Sequence, residues 1–222
     1  MKKFQVAIDG PAGAGKSTVA RRLADKLGAV YVDTGAMYRA IAWRVLQDGI
    51  ELMNEKKISS LAEALTITLD TDGVYVDGLK LTDEIRSNQV SLLASDIAKI
   101  AGVRKALVKK QQLISQSQAV VMDGRDIGTH VLPHADVKIF LTASIEARAQ
   151  RRYQELRAKG ESTQLEVIHK EIADRDENDR KRTFAPLRQA EDALFVETTS
   201  LTIEEVTEMI FQLCRNKLGG EE

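Results

Sequence analysis

One cysteine (Cys214), three prolines and one tryptophan serve a chain of 222 residues, and each scarcity excludes something. A lone thiol cannot close an intrachain disulfide, so the fold must rest on its apolar core. With no Cys/His group spaced for a metal either, a reducing compartment is expected. No run of 18 apolar residues occurs, and the opening MKKFQVAIDG breaks its apolar run at Asp9, too early for a signal peptide. Nor does one sign of charge dominate: 33 acids meet 32 bases, unlike a protein that coats nucleic acid. What is present, 43% hydrophobic and 29% charged residues, is ordinary globular usage. The expectation is a cytoplasmic monomer with no membrane and no nucleic-acid partner.

Five short apolar runs, at 4–8, 29–32, 119–122, 137–141 and 194–196, are near-continuous rather than alternating, as in parallel strands covered on both faces. Helical spacing separates them: Val19, Ala20, Leu23, Ala24 and Leu27 after the first, Met37, Ile41 and Val45 after the second. This predicts an α/β fold, a five-stranded parallel sheet with helices on both faces. Residues 66–82 instead alternate around Asp72-Gly73 and Asp77-Gly78, which is hairpin chemistry. They predict a small antiparallel sheet inserted within 58–103, flanked by helices near 58–65 and 88–116. Thr163 with Glu166 and Thr202 with Glu205 read as capping boxes, and Gly160 as a helix stop. No linker or repeat appears, so residues 1–222 are expected to form one domain.

The segment Gly10-Pro11-Ala12-Gly13-Ala14-Gly15-Lys16-Ser17 matches G-x-x-x-x-G-K-[ST], with a strand leading in and a helix leading out. Glycines allow backbone N–H groups to curl round a polyphosphate at a helix N-terminus. Lys16 adds charge beside it, and the Ser17 hydroxyl can reach magnesium. Asp123 ends the third run, where a carboxylate can complete such a metal site, although strand-end acids are common. It continues into Asp123-Gly124-Arg125-Asp126, which suits anion recognition, as does Asp33-Thr34-Gly35 through Arg39 after the second run. Both should emerge at the carboxyl edge of the sheet, where open α/β folds bind ligands.

Arginine is concentrated in residues 148–182, which hold seven of the 16. A helix would set Arg148, Arg151 and Arg152 on one face, and Arg175, Asp179 and Arg182 on another. A solvated face laced by ion pairs is one reading. The other is a mobile lid whose guanidinium forks grip phosphate and exclude water. His130, His134 and His169 are too scattered for a metal, and Cys214 and Trp43 belong to apolar helix faces.

Together, IDGPAGAGKST (8–18), VDTGAMYR (32–39), VMDGRDIGT (121–129), RAQRR (148–152) and RDENDRKR with APL (175–187) resemble the bacterial cytidylate kinase family over essentially the whole chain. The resemblance implies magnesium-dependent transfer of the ATP γ-phosphoryl group to CMP or dCMP. It implies that residues 10–18, through Thr18, cradle ATP phosphates. Lys16, Arg125, Arg148 and Arg152 would serve the transferring phosphoryl, with Ser17 and Asp123 at the metal. Thr34, Arg104, Asp126 and Arg182 would surround cytosine, Arg39 and Arg125 the CMP phosphate, and Ser95, Arg175 and Asp179 the sugar. Two rival readings are a small P-loop kinase with another acceptor and a nucleotide-dependent switch. The DGRD loop and inserted hairpin speak against the first, and arginines devoted to a second ligand against the other.

Overall fold

The computed structural model describes residues 3–70, 73–158 and 160–219. In chain order the first elements are β1 (Gln5–Asp9), α1 (Lys16–Leu27), β2 (Val30–Asp33), α2 (Thr34–Gln47) and α3 (Glu55–Ala64). Three short strands follow, β3 (Ile67–Asp70), β4 (Gly73–Val76) and β5 (Leu79–Leu81), then helices α4 (Asn88–Ile97) and α5 (Ala101–Ser117). The chain closes with β6 (Val120–Gly124), β7 (Val137–Thr142), α6 (Ile145–Ala158), α7 (Leu165–Lys181), β8 (Leu194–Glu197) and α8 (Ile203–Leu218). A single π-helical turn, Ile127–Val131, follows β6.

Contacts divide the chain into two units, residues 1–31 with 118–222, and residues 32–117. The five apolar runs form one parallel sheet of order β2-β6-β1-β7-β8, as their pattern predicts. Val6 and Ile8 of β1 and Val137, Ile139 and Leu141 of β7 pack under α1 and α8 with Val19, Leu23, Ile210 and Cys214. The intervening Ala7, Val120 and Met122 are equally buried, which is why the strands show no alternation. Cys214 is a core residue, and its thiol is raised to about 11 by burial. The capping box forms at α8, where Thr202 accepts from Glu205 N and the Glu205 carboxylate accepts in return.

In the same unit α6 and α7 share a small core of Ala149, Ile168 and Ile172 with Tyr153 and Leu156. Gly160 ends α6 as its sequence position predicts. It adopts φ 78°, and the N–H groups of Gly160 and Glu161 donate back to Arg157 and Leu156. The box expected at Thr163 does not form. α7 begins at Leu165 with Gln164 as its cap and no side-chain bond, because the apolar positions facing α6 set its start.

The second unit packs α2, α3, α4 and α5 with the antiparallel sheet β3-β4-β5 around Met37, Ile41, Ile58, Val76 and Leu107. Trp43 lies half-buried against this core. Asp77 and Gly78 have φ of 49° and 84°, the paired positive values of the primed turn read from the sequence. Asp77 also accepts from Thr66 N at 2.9 Å. The other expected turn includes Asp72, which lies outside the described residues. The helix expected over 88–116 is two helices, because tight turns at Lys99 and Ile100 interrupt it and Arg104 donates back to the Ala98 carbonyl at 3.3 Å. α5 then lies so close to α3 that a Cβ on Gly102 would stand 2.3 Å from Ser59 Oγ.

Candidate active site

The site in the first unit starts where β1 delivers the chain to Gly10. A Cβ there would lie 1.9 Å from the Leu141 carbonyl oxygen, so glycine is obligatory beside β7. Gly13 and Gly15 follow at φ 73° and 86°, conformations that turn successive amides into one concavity. α1 then opens on Lys16 with Gly15 as its cap and no side chain bonding its first amides, which leaves an anion site. Pro11, Ala12 and Ala14 line the buried side of the loop, and Ser17 and Thr18 are exposed in the first helical turn. Lys16 is buried, and its Nζ donates to the Pro11 carbonyl at 2.6 Å. Burial and then the Arg125 charge push its pKa down to about 7, against the attraction of Asp123.

Ser17 Oγ donates to Asp123 Oδ2 at 2.9 Å, so the loop and the end of β6 meet. The other carboxylate oxygen, Oδ1, accepts from the Tyr31 hydroxyl at 2.9 Å, and Arg21 lies over the Tyr31 ring at 5.3 Å. A hydroxyl and a carboxylate are hard oxygen donors suited to magnesium. Among the described residues no group of three or more His, Cys, Asp or Glu could hold a metal, so such a cation would complete its shell with phosphate and water.

Two residues past Asp123, Arg125 Nε donates to Asp179 Oδ2 at 2.7 Å, while Arg182 lies 3.6 Å from Asp179 Oδ1. Burial opposes ionisation of Asp179, but Arg125, Arg182 and Arg175 outweigh it and hold the carboxyl below its usual range. Arg125 is likewise held charged by Asp179 against burial. Asp126 is buried at the start of the π-helical turn. Arg175 is half-buried on α7 and adds positive charge at both Lys16 and Asp179.

The arginines of α6 separate into three environments. Arg148 is buried: Nη1 lies 2.7 Å from Asp176 and donates to the Ala12 carbonyl at 2.9 Å, while Nε donates to the Ala143 carbonyl. Asp176 Oδ1 in turn accepts from Ala12 N at 3.3 Å, so one ion pair holds both polar groups of a phosphate-loop residue. Arg151 donates to the Thr198 carbonyl at 2.5 Å. Arg152 is half-buried, its side chain 41% accessible, and pairs with Glu155 at 2.8 Å on its own helix.

In the second unit, Asp33 caps α2 by accepting from Ala36 N at 2.8 Å and pairs with Arg39 at 3.1 Å. Thr34 is buried in the first turn of α2, and Ser95 is half-buried on α4. Arg104 is 1% exposed on α5 with its guanidinium over the Tyr38 ring at 5.6 Å. The sequence reading missed Asp9, Tyr31 and Asp176. Asp9 directly follows, and Tyr31 lies within, an apolar run that leads to a recognised motif, and a polar group at such a place is their only local signal.

A parallel sheet that carries this loop, with its serine bonded to a carboxylate on the neighbouring strand, defines a P-loop nucleotide-binding fold. A solved shikimate kinase from Acinetobacter baumannii in complex with shikimate shares the fold, with a TM-score of 0.50 and 20% identity over 98% of this chain and 96% of that one. The cytidylate kinase family model matches residues 6–216. A cytidylate kinase from Alkaliphilus oremlandii is 50% identical over 215 residues, covering 97% of this chain and 99% of the relative. One from Bacillus subtilis is 50% identical over 220 residues, covering 97% and 98%. The chain belongs to the cytidylate kinase family, and its substrates are accordingly nucleotides.

Proposed function

We propose that this chain transfers the γ-phosphoryl group of ATP to CMP or dCMP, giving ADP and CDP or dCDP, with magnesium. One observation carries the reading within the first unit: the end of β6 supplies Asp123 to the phosphate-loop Ser17 and, two residues later, Arg125 to Asp179 of the arginine helix. A donor-phosphate group and an acceptor-binding group thus leave the same strand end. Residues 10–18 cradle the ATP phosphates through backbone amides, and Lys16 leaves the Pro11 carbonyl to meet their charge. Ser17 and Asp123 hold magnesium, which supplies charge neutralisation on the phosphates when bound.

Arg39 and Arg125 hold the CMP phosphate. Thr34, Arg104, Asp126 and Arg182 read cytosine, Asp126 by accepting from its exocyclic amine, and Ser95, Arg175 and Asp179 address the sugar. Because the acceptor phosphate oxygen attacks in line, the protein needs no nucleophile of its own; it places charges. Arg152, which pairs within α6 through Glu155, is the lid arginine left to meet the transferring phosphoryl, while Arg148 acts from within by holding Ala12. Excluding water protects the phosphoryl group from hydrolysis. We read the enzyme as cytoplasmic, a reading its single buried thiol supports, and as a monomer.

A coupled assay of ADP release with ATP and magnesium, run against CMP, dCMP, UMP, AMP, GMP and shikimate, tests the reading. Fast turnover confined to CMP and dCMP, with weak use of UMP, is expected. Preference for another acceptor would overturn the base assignments, and acceptor-independent hydrolysis alone would overturn the kinase reading.

A further inference from the structure

β1 ends in a buried carboxylate whose hydrogen bonds go to the turn after β6, beyond the phosphate loop that follows it in sequence. Asp9 is 4% exposed, and its two oxygens are divided between consecutive amides: Oδ1 accepts from Ile127 N at 2.8 Å and Oδ2 from Gly128 N at 2.7 Å. These amides open the π-helical turn, where backbone N–H groups have no partner inside the turn. Gly128 permits the approach, since a Cβ there would stand 3.2 Å from Lys138 Cδ and 3.3 Å from Asp9 Oδ2. The Asp126 carbonyl accepts from His130 N at 2.9 Å and Val131 N at 3.2 Å. The peptide group joining Asp126 to Ile127 is therefore held at both polar ends, its oxygen by the turn and its N–H by Asp9. That fixes the direction in which Asp126 leaves the backbone.

We propose that Asp9 is a positioning residue for base recognition, whose two carboxylate oxygens aim Asp126 and so set the preference for an amino-bearing pyrimidine. The inference rests on the reading of Asp126 as acceptor of the cytosine amine. An amide cannot replace the carboxylate, because it offers one acceptor oxygen and turns an NH2 group toward the other backbone N–H.

The test compares kcat/KM for CMP with that for UMP, which carries a carbonyl in place of the amine, in the wild type, Asp9→Asn, Asp126→Asn and the double variant. Asp9→Asn should cut the CMP:UMP ratio roughly tenfold, the loss of one charge-assisted hydrogen bond, with KM for ATP changed less than about threefold. In the Asp126→Asn background it should change the ratio no further. A merely structural role would lower turnover with both acceptors alike and leave the ratio intact, which would overturn the proposal. An intact ratio in Asp9→Asn beside a collapsed one in Asp126→Asn would overturn the role of Asp9 alone. A ratio intact in both would remove the reading of Asp126 as well. If Asp9→Asn does not fold, Gly128→Ala, which crowds the second amide away from the carboxylate, must lower the ratio in the same direction, and an unchanged ratio there overturns the proposal.

Discussion

Replacing Asp176 by alanine leaves the Arg148 guanidinium stranded inside the protein. The two side chains are 4% and 5% exposed and 2.7 Å apart, and the remaining partners of Arg148 are the carbonyls of Ala12 and Ala143. Removing one member of such a pair costs about 3–5 kcal/mol, because an uncompensated charge stays buried. For a chain of this size each kcal/mol moves the Tm by about 2–4 °C, so Asp176→Ala should melt roughly 6–20 °C below wild type. Arg148→Met with Asp176→Leu removes both charges and should recover much of that loss. Its Ala12 N–H and C=O stay unsatisfied at about 1–3 kcal/mol each, so recovery should be incomplete. Thermal melts of Asp176→Ala, and of Arg148→Met, Asp176→Leu and their double variant closed as a double-mutant cycle, check this. A drop below about 2 °C in Asp176→Ala, or additive single effects, would refute the reasoning. The same variants should raise KM for ATP, including the restabilised double variant, since neither methionine nor leucine can hold the phosphate loop.

Three further outcomes are expected. Lys16→Ala should abolish turnover and keep a native circular dichroism spectrum; near-normal kcat would remove Lys16 from the phosphate cradle. Because the Lys16 pKa is lowered from 10.5 to about 7 in the folded protein, the unfolded chain binds more protons between those values. Lys16 therefore costs stability fully below pH 7, and the cost is relieved as pH rises from 7 to 10.5. ATP phosphates should restore its charge, so calorimetry near pH 8 in buffers of different ionisation enthalpy should show proton uptake that is absent in Lys16→Ala. Gly102→Ala drives a methyl group into Ser59 and should cost about 1–3 kcal/mol by overpacking, measured by urea unfolding. Adding Ser59→Gly should return most of it; equal loss in both variants would show that the close approach of α3 and α5 is not the cause.

The sequence by itself determined what is local. The phosphate loop was legible because its strand, its glycines and its helix are consecutive, and the glycines are needed for backbone angles that the loop alone imposes. The turn at Asp77-Gly78, the capping box at Thr202 and the helix stop at Gly160 were legible for the same reason. The unbroken apolar runs announced a parallel sheet, since strands covered on both faces leave no polar alternation. The break between α4 and α5 was not legible, because it turns on Arg104 reaching back to one carbonyl.

What only the tertiary structure decided is which partner each charged group meets. Asp9 bonds amides 118 and 119 residues away, Tyr31 reaches across 92 residues to Asp123, and Arg148 crosses 136 to Ala12. Such pairs leave no periodic mark, because chain folding sets them rather than the spacing of neighbours. Three arginines that look equivalent on α6 thus separate into a buried clamp, a strand-end anchor and a side chain paired within its own helix. Helical spacing placed them on one helix; burial and the carbonyls and carboxylates packed against each one decided what it does.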